Sequence, residues 1–165
     1  LTVQVGDFQE LDIPHGKYDL VVLHHVIEHL PNTKVVLRKI ESILAPGGRA
    51  VLVYPNPDSL GARTFRENWL SWDPPRHLVI PPAKTLVNVA KSVGLDMQRF
   101  RSSARYAEWS INISRTYKRG EPFNSTGIQI SFYDRLFVLL ERVLIGIGFK
   151  IGEELIVVFE KPRLS

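Results

Sequence analysis

Tyr18-Asp19-Leu20-Val21-Val22-Leu23, followed at once by His24-His25-Val26-Ile27-Glu28-His29-Leu30 and then Pro31-Asn32, is the stretch on which the fold turns. Its first part is an unbroken apolar run of strand length, the pattern of a strand buried in a parallel sheet. Asn32 suits a helix N-cap, and Val36, Leu37, Ile40, Ile43 and Leu44 recur at helical spacing over 33–44. Pro46-Gly47-Gly48 is expected to stop that helix. Arg49 to Tyr54 reads as the next strand, closed by Pro55-Asn56-Pro57. Upstream, Thr2 to Val5 reads as a short strand ended by Gly6-Asp7. Downstream the pattern predicts a helix near Leu60–Trp69, a proline-rich loop to Pro82, and a helix from Ala83 to Val93 with Gly94 as its C-cap. A weaker strand follows over Leu95–Ser102, then a helix over Tyr106–Lys118 and a turn-rich break at 120–127. A strongly apolar helix over Phe132–Gly148 and a last strand over Glu153–Lys161 complete the order. Strands alternating with helices argue an open α/β sheet. Ligands of such sheets sit beyond the carboxyl ends of the strands, here Asp7–Phe8, His24–His29 and Pro55–Asp58.

Composition narrows the classes. The 165 residues are 44% hydrophobic and 23% charged, which excludes a disordered chain, and they are of a size for one domain or a large piece of one. With no cysteine, a disulfide scaffold, a thiolate zinc site and a cysteine nucleophile are all excluded. No apolar run reaches bilayer length, and no signal-peptide pattern opens the chain, so a cytoplasmic protein is expected. Leu1 stands first and Met97 is the only methionine, so the chain reads as a piece of a longer one. The net charge of +4 is uneven, and the densest basic stretch is Arg99 to Arg119. No zinc-finger, helix-turn-helix or RNA-binding signature accompanies it, so nucleic acid is not an expected partner.

Chemistry concentrates after the strand at 18–23. Three of the five histidines fall within His24–His29. As a bare pattern, His25-x-x-Glu28-His29 matches a zinc hydrolase motif, which requires one helix carrying both histidines on one face. Pro31 disfavours such a helix, so a metal-dependent hydrolase ranks behind the other readings. Histidines that merely pack at a strand end are the plain alternative.

In order and spacing, Gly6-Asp7-Phe8, Lys17-Tyr18-Asp19-Leu20-Val21-Val22, Val26-Ile27-Glu28-His29-Leu30 and Leu44-Ala45-Pro46-Gly47-Gly48 resemble the middle of a class I S-adenosylmethionine-dependent methyltransferase. The nearest branch is the small-molecule one that includes quinone-biosynthesis O-methyltransferases. Pro75-Arg76-His77-Leu78 and the last strand continue the resemblance to about residue 161, while 104–150 reads as a helical insertion. The resemblance implies a Rossmann-like, mostly parallel sheet flanked by helices. The whole of 1–165 would be the C-terminal part of one methyltransferase domain lacking its first strands. The glycine-rich cofactor loop is expected upstream of Leu1, within a further ~60–100 residues on domain-size grounds.

By the same resemblance, Asp7 would take the adenine amino group and Phe8 would wall it. His24 and His25 would sit by the sulfonium and methionine end of S-adenosylmethionine. His77, His25 and His29 are candidate bases for the acceptor proton, a task a neutral imidazole performs near pH 7. Arg76 would meet an anionic small-molecule acceptor. Trp69, Trp72 and Phe65 either wall an aromatic or prenylated acceptor or simply close the core over the sheet. No metal is expected. Some quinone O-methyltransferases place Glu-x-x-Glu-His here and use magnesium, but His25 replaces the first glutamate, a poor set for a hard ion. Buried core is the default for 132–148, with a homodimer interface or a peripheral membrane contact as alternatives. A non-catalytic binding module that kept the fold is the second functional reading.

Overall fold

A computed structural model describes residues 3–121 and 130–163. Four strands, β1 (Tyr18–His24), β2 (Leu44–Pro55), β3 (Asp96–Ser103) and β4 (Glu154–Glu160), form one sheet in the order β1-β2-β4-β3. β1 and β2 are parallel, and β4 runs antiparallel to both β2 and β3. The expected α/β sheet is therefore present, with three strands pointing one way. The carboxyl ends of β1, β2 and β3 and the amino end of β4 consequently share one end of the sheet.

Asn32 Oδ1 accepts the Val35 N–H and starts α1 (Thr33–Ile43), whose Val36, Leu37, Ile40 and Ile43 are buried. With α3 (Ala83–Ser92) this helix covers one face of the sheet, packing on Leu23, Leu52, Val157 and Phe159. α2 (Leu60–Phe65), α4 (Ala107–Lys118) and α5 (Phe132–Gly146) build a second cluster around Phe65, Trp69, Ile111 and Val138. Short 3₁₀ turns occupy 27–29, 66–68 and 70–72. Among the described residues, no helix is long and apolar enough to cross a membrane.

Several expectations change. Pro46-Gly47-Gly48 does not separate helix from strand, because β2 already begins at Leu44. Tyr18 pairs with Leu44 and Leu20 with Arg49, so residues 45–48 form a bulge inside the ladder. Gly47 has φ +81°, and a Cβ on Gly48 would lie 2.8 Å from the carbonyl oxygens of Ala45 and Tyr18. The glycines serve that bulge. Residues 3–5 form no strand and are exposed, because no described strand pairs with them. β1 lies at the sheet edge with Leu20 and Val22 more than half exposed, so only Val21 and Leu23 turn toward the core. The helix predicted to Trp69 stops at Phe65 and continues as 3₁₀ turns. Helix α5 is present, but its outer face is open rather than core. Most of the turn-rich break at 120–127 lies outside the described residues.

Candidate active site

His25 follows β1 directly, with its N–H bonded to the Val53 carbonyl of β2 at 2.8 Å. Its φ of +52° turns the side chain at the end of the sheet. Nδ1 lies 3.0 Å from Glu28 Oε1 and Nε2 lies 2.8 Å from Glu154 Oε1. Hydrogen bonding to Glu154 first, then to Glu28, raises the pKa of His25 to about 9. The ring is therefore an imidazolium at neutral pH, donating both N–H groups to carboxylates. In that state it has no lone pair with which to accept a proton. It is the tie that allows two buried carboxylates, Glu28 and Glu154, to coexist.

Glu28 also organises the next segment. Its backbone carbonyl accepts N–H groups from Leu78 and Val79 at 2.8 and 3.2 Å, which pins the loop carrying His77 against the strand end. His77 Nδ1 donates to the Ser71 carbonyl at 2.6 Å, and His29 Nδ1 donates to the Arg76 carbonyl at 2.9 Å. A carbonyl partner requires a proton on each Nδ1, so Nε2 is the atom with a lone pair when either ring is uncharged. The two rings meet edge to face at 4.8 Å. One nitrogen from each ring and a Glu28 oxygen lie within 4.8 Å of one another, as do atoms of His24, His25 and Glu154. The second set is already consumed by the His25–Glu154 bond.

A cavity of about 640 Å³ opens at this end of the sheet. His25, Arg76, His77, Tyr106, Trp109 and Glu154 are among its walls. Thus three predicted residues, His25, His77 and Arg76, are brought to one cavity, with His29 stacked behind His77. The Arg76 guanidinium is mostly exposed and pairs with Asp73 at 2.6 Å. Arg105, a second wall cation, lies over the Tyr106 ring at 4.9 Å.

Of the two readings of the aromatic residues, the core one describes Trp69 and Phe65, and none of Trp69, Trp72 and Phe65 lines the cavity. Trp69 is buried and donates Nε1–H to Glu153 Oε2 at 2.8 Å. Trp72 stacks edge-on against Trp69 and donates to the Arg66 carbonyl. Phe65 packs near Phe137 in the same cluster. These rings hold the wall-forming loop against β4 and α4, while Tyr106 and Trp109 face the cavity. Asp7 and Phe8 stand before β1, away from it. Asp7 accepts the Gln9 N–H and closes a turn through Leu11, and Phe8 packs on the main core. His24 is exposed, its ring 4.8 Å from that of His25.

Sequence reasoning missed Glu153 and Glu154, both buried. Glu154 opens an antiparallel strand and Glu153 directly precedes it, so a search after strand ends passes them by. Glu153 Oε2 accepts from Trp69 and from Ser110 Oγ at 2.6 Å, and a Cβ at Gly61 would collide with its carboxylate. Glu141 of α5 is fully buried, with no side-chain donor on either oxygen and the Glu153 backbone N–H as the one hydrogen bond favouring its charge. Burial, then the Glu153 charge, pushes its pKa up to about 8.

Residues 2–99 match a family model described as a methyltransferase domain. No curated protein sequence gives a significant match. Among solved structures, one named as a sarcosine dimethylglycine methyltransferase from Galdieria sulphuraria aligns with 98% of this chain and 59% of its own, at TM-score 0.60 and 17% identity. A chain from the complex between the Haloferax volcanii Trm112 methyltransferase activator and a methyltransferase aligns with 98% of this chain and 61% of its own, at TM-score 0.62 and 16% identity. Phosphoethanolamine N-methyltransferase 2 of Haemonchus contortus, solved with S-adenosyl-L-methionine, aligns over 95% and 36%, at TM-score 0.56 and 15% identity. The chain thus spans about three-fifths, or less, of the length of these neighbours, and at such identities they share its fold. Because the family model covers more than half of the sequence, including β1, the histidine cluster and β2, the chain belongs to the methyltransferase domain family.

Proposed function

We propose that this chain is the acceptor-side, C-terminal part of a cytoplasmic S-adenosylmethionine-dependent methyltransferase acting on a small molecule. Within the family we place it in the small-molecule branch that includes the quinone-biosynthesis O-methyltransferases, on the motifs at 6–8, 17–22, 26–30 and 44–48. The observation that carries the reading is the cavity at the strand ends, which His77 lines with its Nδ1 already bonded to the Ser71 carbonyl. S-adenosylmethionine, when bound, supplies a methyl group on a sulfonium.

The residues present fit one end of that cofactor. Asp7 offers an exposed carboxylate and Phe8 an apolar ring beside the first ordered turn, while His24 lies at the end of β1. The methionine end would be held by a glycine loop upstream of residue 1. The open outer edge of β1, with Leu20 and Val22 exposed, supports a chain that continues there.

In this reading His77 Nε2 takes the acceptor proton, and the Ser71 carbonyl holds the ring in the required tautomer. Arg76 and Arg105 draw an anionic group to the cavity, and Tyr106 and Trp109 wall its apolar part. His25, being protonated and doubly bonded, positions Glu28 and hence the His77 loop. His29 backs His77. α4 and α5 form the helical insertion between β3 and β4, and α5 faces either a membrane surface or a second copy of the chain.

Calorimetry with S-adenosylmethionine on the protein extended upstream of Leu1 tests the reading. Binding that Asp7→Ala weakens is expected. No binding overturns it and leaves the second reading, a non-catalytic module on a methyltransferase fold.

A further inference from the structure

The outer face of α5 is the least ordinary surface of the molecule. Phe132, Leu136, Leu139, Leu140, Val143 and Ile147 are each 50–74% exposed. Their spacing of 4, 3, 1, 3 and 4 residues lays them in one stripe along a helix about 22 Å long. Single exposed apolar side chains are common on proteins, but a contiguous stripe of this size marks a contact surface.

Charge on the same helix is sorted by direction. Its two acids, Asp134 and Glu141, are turned inward and buried. Asp134 meets Arg115 at 2.7 Å and caps the helix start, and Glu141 is buried near Glu153. Its two bases, Arg135 and Arg142, are turned outward and exposed. Lys150, just beyond the helix, is exposed as well. Among the described residues, the acid that pairs with this face is the half-buried Glu108 of α4, 3.9 Å from Arg142. The face is therefore apolar along its crest and cationic along its flank, with no outward carboxylate of its own.

We propose that α5 docks this protein on an anionic phospholipid surface, lying in the plane of the interface. Six apolar side chains enter the boundary between headgroups and acyl chains, while Arg135 and Arg142 reach the phosphates along their flexible stems. A second copy of the chain fits this face less well. A twofold pairing sets each patch against its own image, so Arg135 and Arg142 would face the same cations with no carboxylate on α5 to meet them. Docking places the cavity close to the bilayer, because α4 and its N-cap Tyr106 line the cavity through Trp109 and Tyr106, and α4 packs against α5. The inference stands on α5 alone and does not require that the cavity transfer a methyl group.

Co-sedimentation of the purified protein with vesicles tests it, using phosphatidylcholine alone and phosphatidylcholine mixed with phosphatidylserine. Binding to the mixed vesicles at low salt, weakened at high salt and absent with phosphatidylcholine alone, is expected. The double variant Leu136→Ser/Val143→Ser changes only exposed positions and keeps the thermal midpoint, yet abolishes sedimentation. Arg135→Gln/Arg142→Gln lowers partitioning onto the mixed vesicles roughly 25-fold, about fivefold per cation. Absence of binding to the mixed vesicles overturns the proposal, as does binding that both double variants retain. A lipid-free dimer in sedimentation equilibrium that Leu136→Ser/Val143→Ser renders monomeric also overturns it and assigns the face to a second copy.

Discussion

Replacing Glu141 by Gln stabilises the protein at neutral pH, by an amount that grows as pH rises. Glu141 is fully buried on the inner side of α5, where no side chain donates to its oxygens and the Glu153 backbone N–H offsets only a small part of the cost of burial. The unfolded chain ionises it near the ordinary value of 4.5, whereas the folded chain holds the proton to about pH 8. A folded pKa above the unfolded one makes the contribution complete below pH 4.5 and drains it as pH climbs toward 8. Each unit is worth about 1.4 kcal/mol, so about 3 kcal/mol is gone at pH 7 and about 4 kcal/mol at pH 8. Glutamine keeps the shape and the polar end but carries no charge to desolvate. The two proteins should therefore be nearly equal in acid, and the variant ~2–3 kcal/mol more stable at pH 7. His25 also loses stabilising effect as pH rises from 6.5 toward 9, but it is common to both proteins and cancels in the difference. Urea unfolding at intervals from about pH 5 to pH 8 reads the gap as a shift in midpoint at constant slope. A gap that stays constant or shrinks with pH would refute the reasoning, because it would mean that Glu141 is ionised and paired in the folded protein.

Four other outcomes are expected. His25→Ala leaves Glu28 and Glu154 without their shared cation and lowers stability at pH 7 by about 2–3 kcal/mol, after a discount for the third of the ring open to water; a variant as stable as the parent in urea would disprove the tie. Its unfolding midpoint should also fall less than the parent's between pH 6.5 and about 9, keeping only the Glu141 part of the decline. Trp69→Phe removes the N–H on Glu153 and costs about 1.5–3 kcal/mol, measured by the same unfolding, with the Ser110 bond alone remaining on that oxygen. His77→Ala lowers kcat on the order of 10²–10⁴ with cofactor affinity unchanged in a calorimetric titration; equal loss in both would make His77 a binding residue only. EDTA leaves methyl transfer unchanged, and a loss that zinc restores would instead give Glu28, His29 and His77 to a metal.

Much of the fold is legible in local chemistry. Asn32 announces α1, Pro55-Asn56-Pro57 ends β2 within a residue, and Gly94, at φ +90°, marks the end of α3. Those signals depend on backbone preferences that neighbours seldom override. The places where the reading slipped depend on pairing and covering. A run such as Leu20-Val21-Val22 has the same composition whether one or two of its faces are covered, and here β1 is an edge strand. The apolar helix at 132–146 reads as core for the same reason, since hydrophobicity does not say which side finds a partner. In the site, His25 and His77 stood out as residue types at a strand end and in a proline-rich loop. That His25 is a clamped cation, and that Glu154 clamps it, depends on β4 running antiparallel and delivering its first residue to the carboxyl ends of its neighbours. Trp69 and Trp72 were visible as large aromatics, but an indole N–H that finds a buried carboxylate or a backbone carbonyl becomes scaffold rather than wall.

The open edge of β1 has a practical consequence for anyone preparing this chain. Its outward backbone N–H and C=O groups form a ready template for another strand, and Leu20 and Val22 add an adhesive face beside it. Natural sheets blunt such edges with lysine, proline or a covering loop. Tyr18–His24 contains no lysine or proline, and its one charge is Asp19. Association through this edge would be β-type, would grow with concentration and would ignore changes on α5. A charge such as Leu20→Lys would suppress it, so self-association seeded by the sheet can be separated from any contact made by the helix.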